Sequence, residues 1–256
     1  MCDSCQCGGD TTAEVTIRKP GEHHHPHPPA NAHDAGGRKI MVEVDVLAKN
    51  NAAGAENRAF FAKQQILALN LVSSPGSGKT SVLERTLRDL RDELSISVIE
   101  GDQQTMRDAE RIHATGAAVV QVNTGTGCHL DAEMISRALP QLNPRPHSLL
   151  FIENVGNLVC PALFDLGEAA KVAIISVTEG EDKPQKYPHM FRAASVCLIN
   201  KIDLLPYLDF DLALCKALAL QVNPDLIFFE LSAKSGEGLE AWYQWLKQAF
   251  ANNHHH

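Results

Sequence analysis

Residues 73–80, Ser-Ser-Pro-Gly-Ser-Gly-Lys-Thr, constrain the fold of this chain more than any other segment. An apolar run from Ile66 to Val72 precedes them, and a stretch of helical character from Ser81 to Leu94 follows. A strand, a glycine-rich turn, a lysine, a hydroxyl residue and a helix form the context of a phosphate-binding loop. Backbone N–H groups of such a turn face an anion, as does the positive end of the helix dipole. The predicted phosphate-binding residues are Gly76, Ser77, Gly78, Lys79, Thr80 and Ser81.

Two side chains of this loop have separate expected roles. Lys79 is expected to reach the outer phosphates of a nucleotide, and the Thr80 hydroxyl is expected to hold Mg²⁺. The usual motif begins with glycine, and Ser73 stands at that position here. The alternative is an ordinary glycine- and serine-rich turn without a ligand. The agreement of strand, loop and helix favours the phosphate site.

Bulk properties limit the function classes. A chain of 256 residues, 44% of them hydrophobic, can form one large domain or one domain with an appended segment. A formal net charge of −8 gives no case for a nucleic-acid partner. No apolar stretch approaches the roughly 20 residues that span a bilayer, and no secretory signal begins the chain. We therefore expect a cytoplasmic protein without membrane association, in which seven cysteines indicate metal chemistry, redox chemistry or burial more than disulfides.

The chain divides into two parts of different composition. Residues 1–37 contain few apolar residues and many glycines, prolines and histidines, so we expect a flexible metal-binding tail. Residues 38–253 are expected to form the nucleotide-binding domain. Lys39 to Leu47 alternates apolar and polar residues and predicts a short strand, whereas Ala52 to Gln65 has helical character.

Strands and helices alternate from Ile66 onward. The predicted strands are Leu67–Val72, Ser95–Ile99, Ala118–Val122, Leu149–Glu153, Val172–Val177, Val196–Asn200 and Leu226–Glu230. The predicted helices between them include Gln104–Ala114, Ala132–Leu142, Asp211–Val222 and Leu239–Ala251. Short, nearly continuous apolar strands separated by helices predict an α/β fold: a P-loop NTPase whose mostly parallel sheet has helices on both faces. Ligands of such sheets bind beyond the carboxyl ends of the strands.

Two motifs near the C-terminus indicate a guanine nucleotide. Asn200, Lys201 and Asp203 directly follow an apolar strand. A carboxylate such as Asp203 can accept both the N1–H and the exocyclic amine of guanine, whereas adenine presents an acceptor at N1 and has no amine at C2. Lys201 can lie over the base, and Asn200 can tie the loop together. A second motif follows the next strand and consists of Ser232, Ala233 and Lys234. The alternative for Asp203 is a solvated turn acid.

Two acids end predicted strands near the phosphate loop. Asp102, in Glu100-Gly101-Asp102, stands at the end of the second strand, and Glu153 ends the fourth. Acids at such positions are the expected Mg²⁺ ligands or water-orienting groups. We expect Asp102 on the metal side, and Glu153 holding a magnesium-bound water or orienting the attacking water. The alternative for both is a helix-capping acid.

Two metal-binding features lie in the tail. Cys2, Cys5 and Cys7 place three thiols within six residues, which suits Ni(II) in a square plane with nitrogen ligands or Zn(II) in a tetrahedron. Incidental exposed cysteines are the alternative. A histidine-rich stretch follows, and its expected metal ligands are His23, His24, His25 and His27. Such a tract stores or collects metal with modest selectivity, or is a soluble low-complexity linker.

A third metal feature lies within the predicted domain. Cys128 and His129 follow one strand and Cys160 follows another, so both loops lie at the nucleotide edge of the sheet. Adjacent Cys and His residues seldom both reach one ion comfortably, which suggests a site shared between two protomers. The alternative is a pair of buried structural thiols. Cys197 and Cys215 fit a strand pattern and a helix pattern and are expected in the core.

Taken together, these motifs resemble the HypB family, GTPases that help insert nickel into nickel–iron hydrogenases. The resemblance covers nearly the whole chain and includes the long string from Glu153 to Pro161. It implies a SIMIBI-class G domain that binds GTP/GDP and Mg²⁺, and a GTP-dependent homodimer with a Ni²⁺ or Zn²⁺ site at Cys128, His129 and Cys160. It also implies two partners, a HypA-like nickel-handling accessory protein and the hydrogenase large subunit. In one departure, Gln6 replaces the glycine of the family's terminal cysteine motif.

The expected function is therefore a GTP-hydrolysing nickel metallochaperone with a slow intrinsic rate. A nickel-storage or buffering protein would explain the thiols and imidazoles but leaves Asn200, Lys201 and Asp203 without purpose. A regulatory GTPase without metal delivery would leave residues 1–33 unexplained. A nickel-delivery GTPase for urease is the nearest functional neighbour.

Overall fold

A twisted, largely parallel sheet organises the described part of the chain. The computed structural model describes residues 16–18, 39–103 and 106–253, with side chains from residue 45 onward. The strands are β1 (Thr16–Arg18), β2 (Leu67–Ser73), β3 (Ile96–Asp102), β4 (Ala118–Asn123), β5 (Leu149–Glu153), β6 (Ala170–Ser176), β7 (Val196–Asn200) and β8 (Ile227–Glu230). Their order in the sheet is β1-β4-β3-β5-β2-β6-β7-β8. The pairings from β4 to β8 are parallel, and only β1 runs antiparallel to its neighbour β4.

Helices connect the strands and cover both faces of the sheet. They are α1 (Lys39–Gln64), α2 (Lys79–Leu90), α3 (Arg107–His113), α4 (Ala132–Leu142), α5 (Cys160–Leu163), α6 (Lys183–Lys186), α7 (Pro188–Ala193), α8 (Leu212–Val222) and α9 (Leu239–Asn253), with a 3₁₀ helix at Ile202–Tyr207. No helix in the described ranges is long and apolar enough to cross a membrane.

The core lies on the two faces of the central strand β2, all of whose residues are buried. Successive side chains of a strand point to opposite faces. Leu69 and Leu71 therefore pack with α2, α3 and α9, whereas Ala68 packs with α1 and α4 and Val72 packs with α7 and α8. This arrangement confirms the predicted α/β fold with helices on both faces.

Residues Lys39 to Leu47 do not form the predicted strand, because they belong to the 26-residue helix α1. The alternation of apolar and polar residues was misleading. Val46 remains 45% exposed, and Leu47 packs against the core beneath the helix. Further along α1, buried amides of Asn50 and Asn57 face the core, so the helix lacks the apolar stripe that marks a helix in sequence.

The remaining predicted elements agree with the structure to within a few residues. β5, β7 and α4 have the predicted bounds. The helix predicted for 104–114 is shorter, at Arg107–His113, and residues 104 and 105 lie outside the described ranges. The helices α5, α6 and α7 were not predicted, because four to six residues are too few to show a helical period.

Candidate nucleotide and metal sites

The phosphate loop joins the central strand β2 to α2 at the carboxyl edge of the sheet. Gly76 and Gly78 hold left-handed backbone, with φ of 78° and 90°. At Gly78 a Cβ atom would lie 2.5 Å from Asn200 Nδ2, so only glycine fits there. α2 begins at Lys79 directly after this turn, which aims its unpaired N–H groups at the loop. Local sequence thus builds an anion cradle at the centre of the sheet.

Glu153 contacts both functional side chains of the loop. Its Oε1 atom accepts hydrogen bonds from Lys79 Nζ at 2.7 Å and from Thr80 Oγ1 at 2.6 Å. Glu153 is 1% exposed, and its second oxygen, Oε2, has no hydrogen-bond partner. A phosphate group that binds Lys79 therefore competes with this carboxylate for the ammonium.

Glu100 is a second buried acid beside this ion pair, and the sequence did not reveal it. It is the register partner of Glu153 in the pairing of β3 with β5, and it is 2% exposed. Burial, reinforced by the charge of Glu153, raises the pKa of Glu100 to about 9 against the opposing charge of Lys79. Glu100 is therefore a neutral carboxylic acid at pH 7. The predicted strand stopped at Ile99, whereas β3 extends to Asp102 and so carries Glu100 into the sheet.

Asp102 ends β3 at the same edge as the phosphate loop. It is half-buried, and its Oδ1 accepts a hydrogen bond from the backbone N–H of Gln103 at 2.7 Å. The Asp102 carboxylate and the Thr80 hydroxyl are hard oxygen donors of the kind Mg²⁺ prefers. The donor set therefore fits a nucleotide-bound Mg²⁺.

A cavity of about 200 Å³ lies beside the phosphate loop. Its lining residues are Gly78, Ser81, Asn200, Lys201, Asp203, Leu204, Ser232, Ala233 and Lys234. Asn200 ties its three loops together, because Nδ2 donates to Ser77 O at 2.9 Å and Oδ1 accepts from Ala233 N at 3.2 Å. Lys201 Nζ donates to Gly76 O at 2.7 Å. The residues predicted to hold a base thus meet in one cavity next to the phosphate loop.

Three potential metal ligands lie close together in the segments that follow β4 and β5. The ligand atoms of Cys128, His129 and Cys160 all lie within 4.8 Å of one another. The two sulfurs are 3.0 Å apart, and Cys128 Sγ lies 3.6 Å from His129 Nδ1. A single chain therefore brings the ligand atoms of the adjacent Cys128 and His129 close to that of Cys160.

The histidine of this group has a defined environment. Its ring lies 3.8 Å, centroid to centroid, from that of Phe164. Burial lowers the pKa of His129, against the opposing charge of Asp131. The neutral imidazole, the form that binds metal, is therefore favoured at pH 7. The other predicted ligands, Cys2, Cys5, Cys7, His23, His24, His25 and His27, lie outside the described residues. Cys197 and Cys215 are fully buried in the core, as predicted.

The sheet order, the glycine cradle with Lys79 and Thr80, and the adjacent base-sized cavity define a P-loop nucleotide-binding protein of the α/β class. Residues 67–230 match the family model of the CobW/HypB/UreG nucleotide-binding domain. The chain belongs to this family, and within it to the HypB hydrogenase maturation factors, as the following relatives show.

Curated relatives and solved structures agree on this assignment. The chain is 63% identical to hydrogenase maturation factor HypB of Rhizobium leguminosarum bv. viciae, over 84% of this chain and 72% of the relative. It is 58% identical to HypB of Escherichia coli K12, over 89% and 79% of the two chains. The crystal structure of HypB from Helicobacter pylori in complex with nickel is similar, with a TM-score of 0.75 and 39% identity over 80% of this chain and 96% of that one.

Proposed function

We propose that this protein is a GTP-hydrolysing metallochaperone that delivers Ni(II) during maturation of nickel–iron hydrogenase. The position of Glu153 supports this most directly. Glu153 contacts Lys79 and Thr80 in the phosphate loop, and it opens the loop that leads to Cys160 in the thiol–imidazole cluster. One short segment thus joins the nucleotide site to a site suited to nickel. The nickel-bound relative from Helicobacter pylori supports the choice of cargo.

The guanine preference rests on the cavity beside the phosphate loop. Asp203 lines it with Lys201, and its carboxylate can accept two hydrogen bonds from guanine. Adenine would leave that half-buried carboxylate without donors, which should weaken its binding relative to guanine. Phosphate release should therefore be faster with GTP than with ATP, and Asp203→Asn should reduce this preference. Equal turnover of both nucleotides would contradict the guanine assignment.

The phosphate chemistry follows from exchange of partners on Lys79. The γ-phosphate binds the Lys79 ammonium in place of the Glu153 carboxylate. The Glu153 carboxylate then orients the attacking water. Thr80 and Asp102 would hold Mg²⁺, which neutralises charge on the phosphate oxygens. The released Glu153 carries the loop toward Cys160 with it.

The cargo site uses two thiolates and one imidazole. Cys128, His129 and Cys160 supply S, N and S ligands, a set that accepts Ni(II) and also Zn(II). Three ligands leave a position for a fourth from water or from a second protomer. Because Cys128 is half-exposed, a GTP-dependent homodimer can close over this site. Residues 1–37 form the metal-collecting tail in this proposal, residues 38–253 form the G domain, and a HypA-like accessory protein and the hydrogenase large subunit receive the ion.

Nickel titration in two nucleotide states tests this function. The full chain should bind Ni(II) with different affinities in the GDP state and in the state bound to a non-hydrolysable GTP analogue. Linkage requires Ni(II) to change nucleotide affinity by the same factor. Lys79→Ala should remove the difference, and Cys128→Ser with Cys160→Ser should remove the nucleotide-sensitive component of binding. Identical nickel affinity of the unaltered protein in both states would overturn the proposal.

A further inference from the structure

Asn154 directly follows Glu153 and lies at the centre of a buried hydrogen-bond network. Its side chain is 0% exposed. The Oδ1 atom accepts hydrogen bonds from the backbone N–H groups of Leu130 and Val155, both at 3.0 Å. Leu130 follows His129 in the chain. One amide therefore connects the residue next to Glu153 with the turn that carries two of the three metal-ligand candidates.

The same amide is anchored on the strand that leads into the phosphate loop. Asn154 Nδ2 donates to Asn70 Oδ1 at 3.3 Å, and Asn70 lies in β2 with no exposed surface. Asn70 Nδ2 donates in turn to Glu168 Oε1 at 3.1 Å. Lys171 Nζ also donates to that oxygen, at 2.5 Å. Asn154 is thus hydrogen-bonded on one side to Leu130 and on the other to β2.

Further contacts bind the metal turn to the segment after Glu153. Asn157 Nδ2 donates to the carbonyl oxygen of Cys128 at 3.3 Å. Lys171 Nζ donates to the carbonyl oxygen of Phe164 at 3.0 Å, and the Phe164 ring lies against His129. The position of the Cys128–His129 turn therefore depends on the segment that begins with Asn154.

A buried donor or acceptor cannot give up its partner without a desolvation cost. Groups joined in such a network therefore move together more readily than they separate. A phosphate that binds Lys79 competes with Glu153 for that ammonium, and displacement of Glu153 would move the backbone next to Asn154. Leu130 N–H would follow its acceptor, and the Cys128–His129 turn would shift relative to Cys160.

We propose that Asn154 is the positioning residue through which displacement of Glu153 by nucleotide changes the geometry of the Cys128–His129–Cys160 site. The proposal rests on the proposed function, since it requires nickel at that site and nucleotide at the phosphate loop. Asn154 itself contacts neither ligand. A purely structural role would lower stability without altering the dependence of nickel affinity on nucleotide.

The test uses the full chain with Cys2, Cys5 and Cys7 replaced by serine. Thiolate-to-nickel absorption then reports Cys128 and Cys160, because Cys197 and Cys215 are fully buried. The ratio of nickel affinities in the GDP and GTP-analogue states is measured in this parent and in Asn154→Ser, whose short hydroxyl cannot reach Leu130. We expect a parent ratio of about 5- to 150-fold and a ratio near one in the variant.

The matched control is Asn57→Ser. Asn57 is also buried and donates to the carbonyl oxygens of Ala132 and Leu166, which belong neither to Glu153 nor to the metal turn. It should keep the parent ratio. A parent ratio of one would overturn both the proposed function and this inference. If nickel affinity depends on nucleotide in the parent and Asn154→Ser keeps the full affinity ratio, only the role of Asn154 is overturned.

A second measurement needs no variant at Asn154 and stays valid if that variant does not fold. Amide hydrogen exchange of Leu130 is followed in the metal-free parent as GDP is replaced by the GTP analogue. The exchange rate of Leu130 should change by about tenfold or more, while that of Ala132, whose N–H donates to Asn50 Oδ1 at 2.9 Å, should not. An unchanged Leu130 rate would overturn the proposal.

Discussion

Gly76 and Gly78 share a left-handed backbone but differ in what surrounds them. A Cβ atom at Gly76 would meet nothing within 4 Å, whereas one at Gly78 would collide with Asn200 Nδ2. The conformational requirement for glycine is therefore common to both positions, and the steric requirement belongs to Gly78. The Asn200 side-chain amide, with which this Cβ atom would collide, also holds the loops that line the base cavity to the phosphate loop.

Alanine substitution should separate these two requirements. Gly76→Ala should lower the free energy of unfolding by about 1–2 kcal/mol, the cost of a left-handed non-glycine residue. Gly78→Ala should cost more, and it should also weaken nucleotide binding because Asn200 must move. Urea unfolding of both variants, with nucleotide titration, checks this. Equal losses in the two variants would contradict the steric explanation.

Glu153→Gln should increase nucleotide affinity while it decreases turnover. The neutral glutamine amide cannot form the ion pair with Lys79 that competes with the phosphate. Loss of the carboxylate that orients water should slow hydrolysis by about 100-fold or more. Fluorescent-nucleotide titration and phosphate release measure the two effects. Asp102→Asn is the control, since it should weaken the response to Mg²⁺ without raising nucleotide affinity.

Glu100 should make the metal-free protein less stable as pH rises. Its pKa increases from 4.5 in the unfolded chain to about 9 in the fold, so the folded state binds the additional proton between these values. The free energy of unfolding therefore decreases with pH across this window. Glu100→Gln cannot ionise, and it should be more stable than the parent at pH 8 but nearly equal at pH 5. Thermal unfolding at both pH values checks the sign.

At the scale of elements, the spacing of apolar residues correctly predicted those strands and helices that pack against apolar side chains. β5, β7 and α4 have the predicted bounds because each buries a continuous or one-sided apolar set. The segment Lys39–Leu47 of α1 was mispredicted, because its apolar and polar residues alternate as in a strand. The rest of this helix is held in place by contacts distant in sequence. Asn50 Nδ2 donates to Asp165 O, and Arg58 pairs with the Asp165 carboxylate. Such contacts leave no local pattern.

Helix α9 is attached to the sheet by an aromatic cluster. Trp242 is 1% exposed, stacks on Trp245 at 5.3 Å between ring centroids, and donates from Nε1 to Thr86 Oγ1 at 3.2 Å. Trp242→Ala should lower the free energy of unfolding by about 3–5 kcal/mol. Trp245→Ala is the control and should cost less, because its ring is partly exposed. Urea unfolding followed by circular dichroism measures both.

At the scale of the whole molecule, the parallel sheet places the ends of its strands at one edge. This rule allowed the sequence to predict that the phosphate loop, the base residues and the Cys128 and Cys160 loops lie near one another. It could not predict which side chains touch. Such contacts depend on strand register, which the spacing of apolar residues does not specify. They include the contacts of Glu153 with Lys79 and Thr80, the burial of Glu100, and the Asn154 network.

Nucleotide and Ni(II), bound at the same edge of the sheet, should affect thermal stability jointly. Each ligand that binds the folded state at 100 times its Kd should stabilise it by about 2.7 kcal/mol. Coupled sites should give a combined rise in Tm, for GTP analogue with Ni(II), that differs from the sum of the separate rises. Lys79→Ala should retain only the nickel contribution. Additive rises in the unaltered protein would indicate independent sites.

The antiparallel strand β1 has a consequence for the first residues of the chain. Thr16 pairs with Asn123 at the carboxyl end of β4, the strand that precedes the turn carrying Cys128. Cys7 precedes Thr16 by nine positions, a separation that can span at most about 30 Å. A flexible linker of that length would hold its end at roughly millimolar effective concentration. Exchange of an ion between the two sets of thiols would then be an intramolecular reaction, with a rate independent of protein concentration.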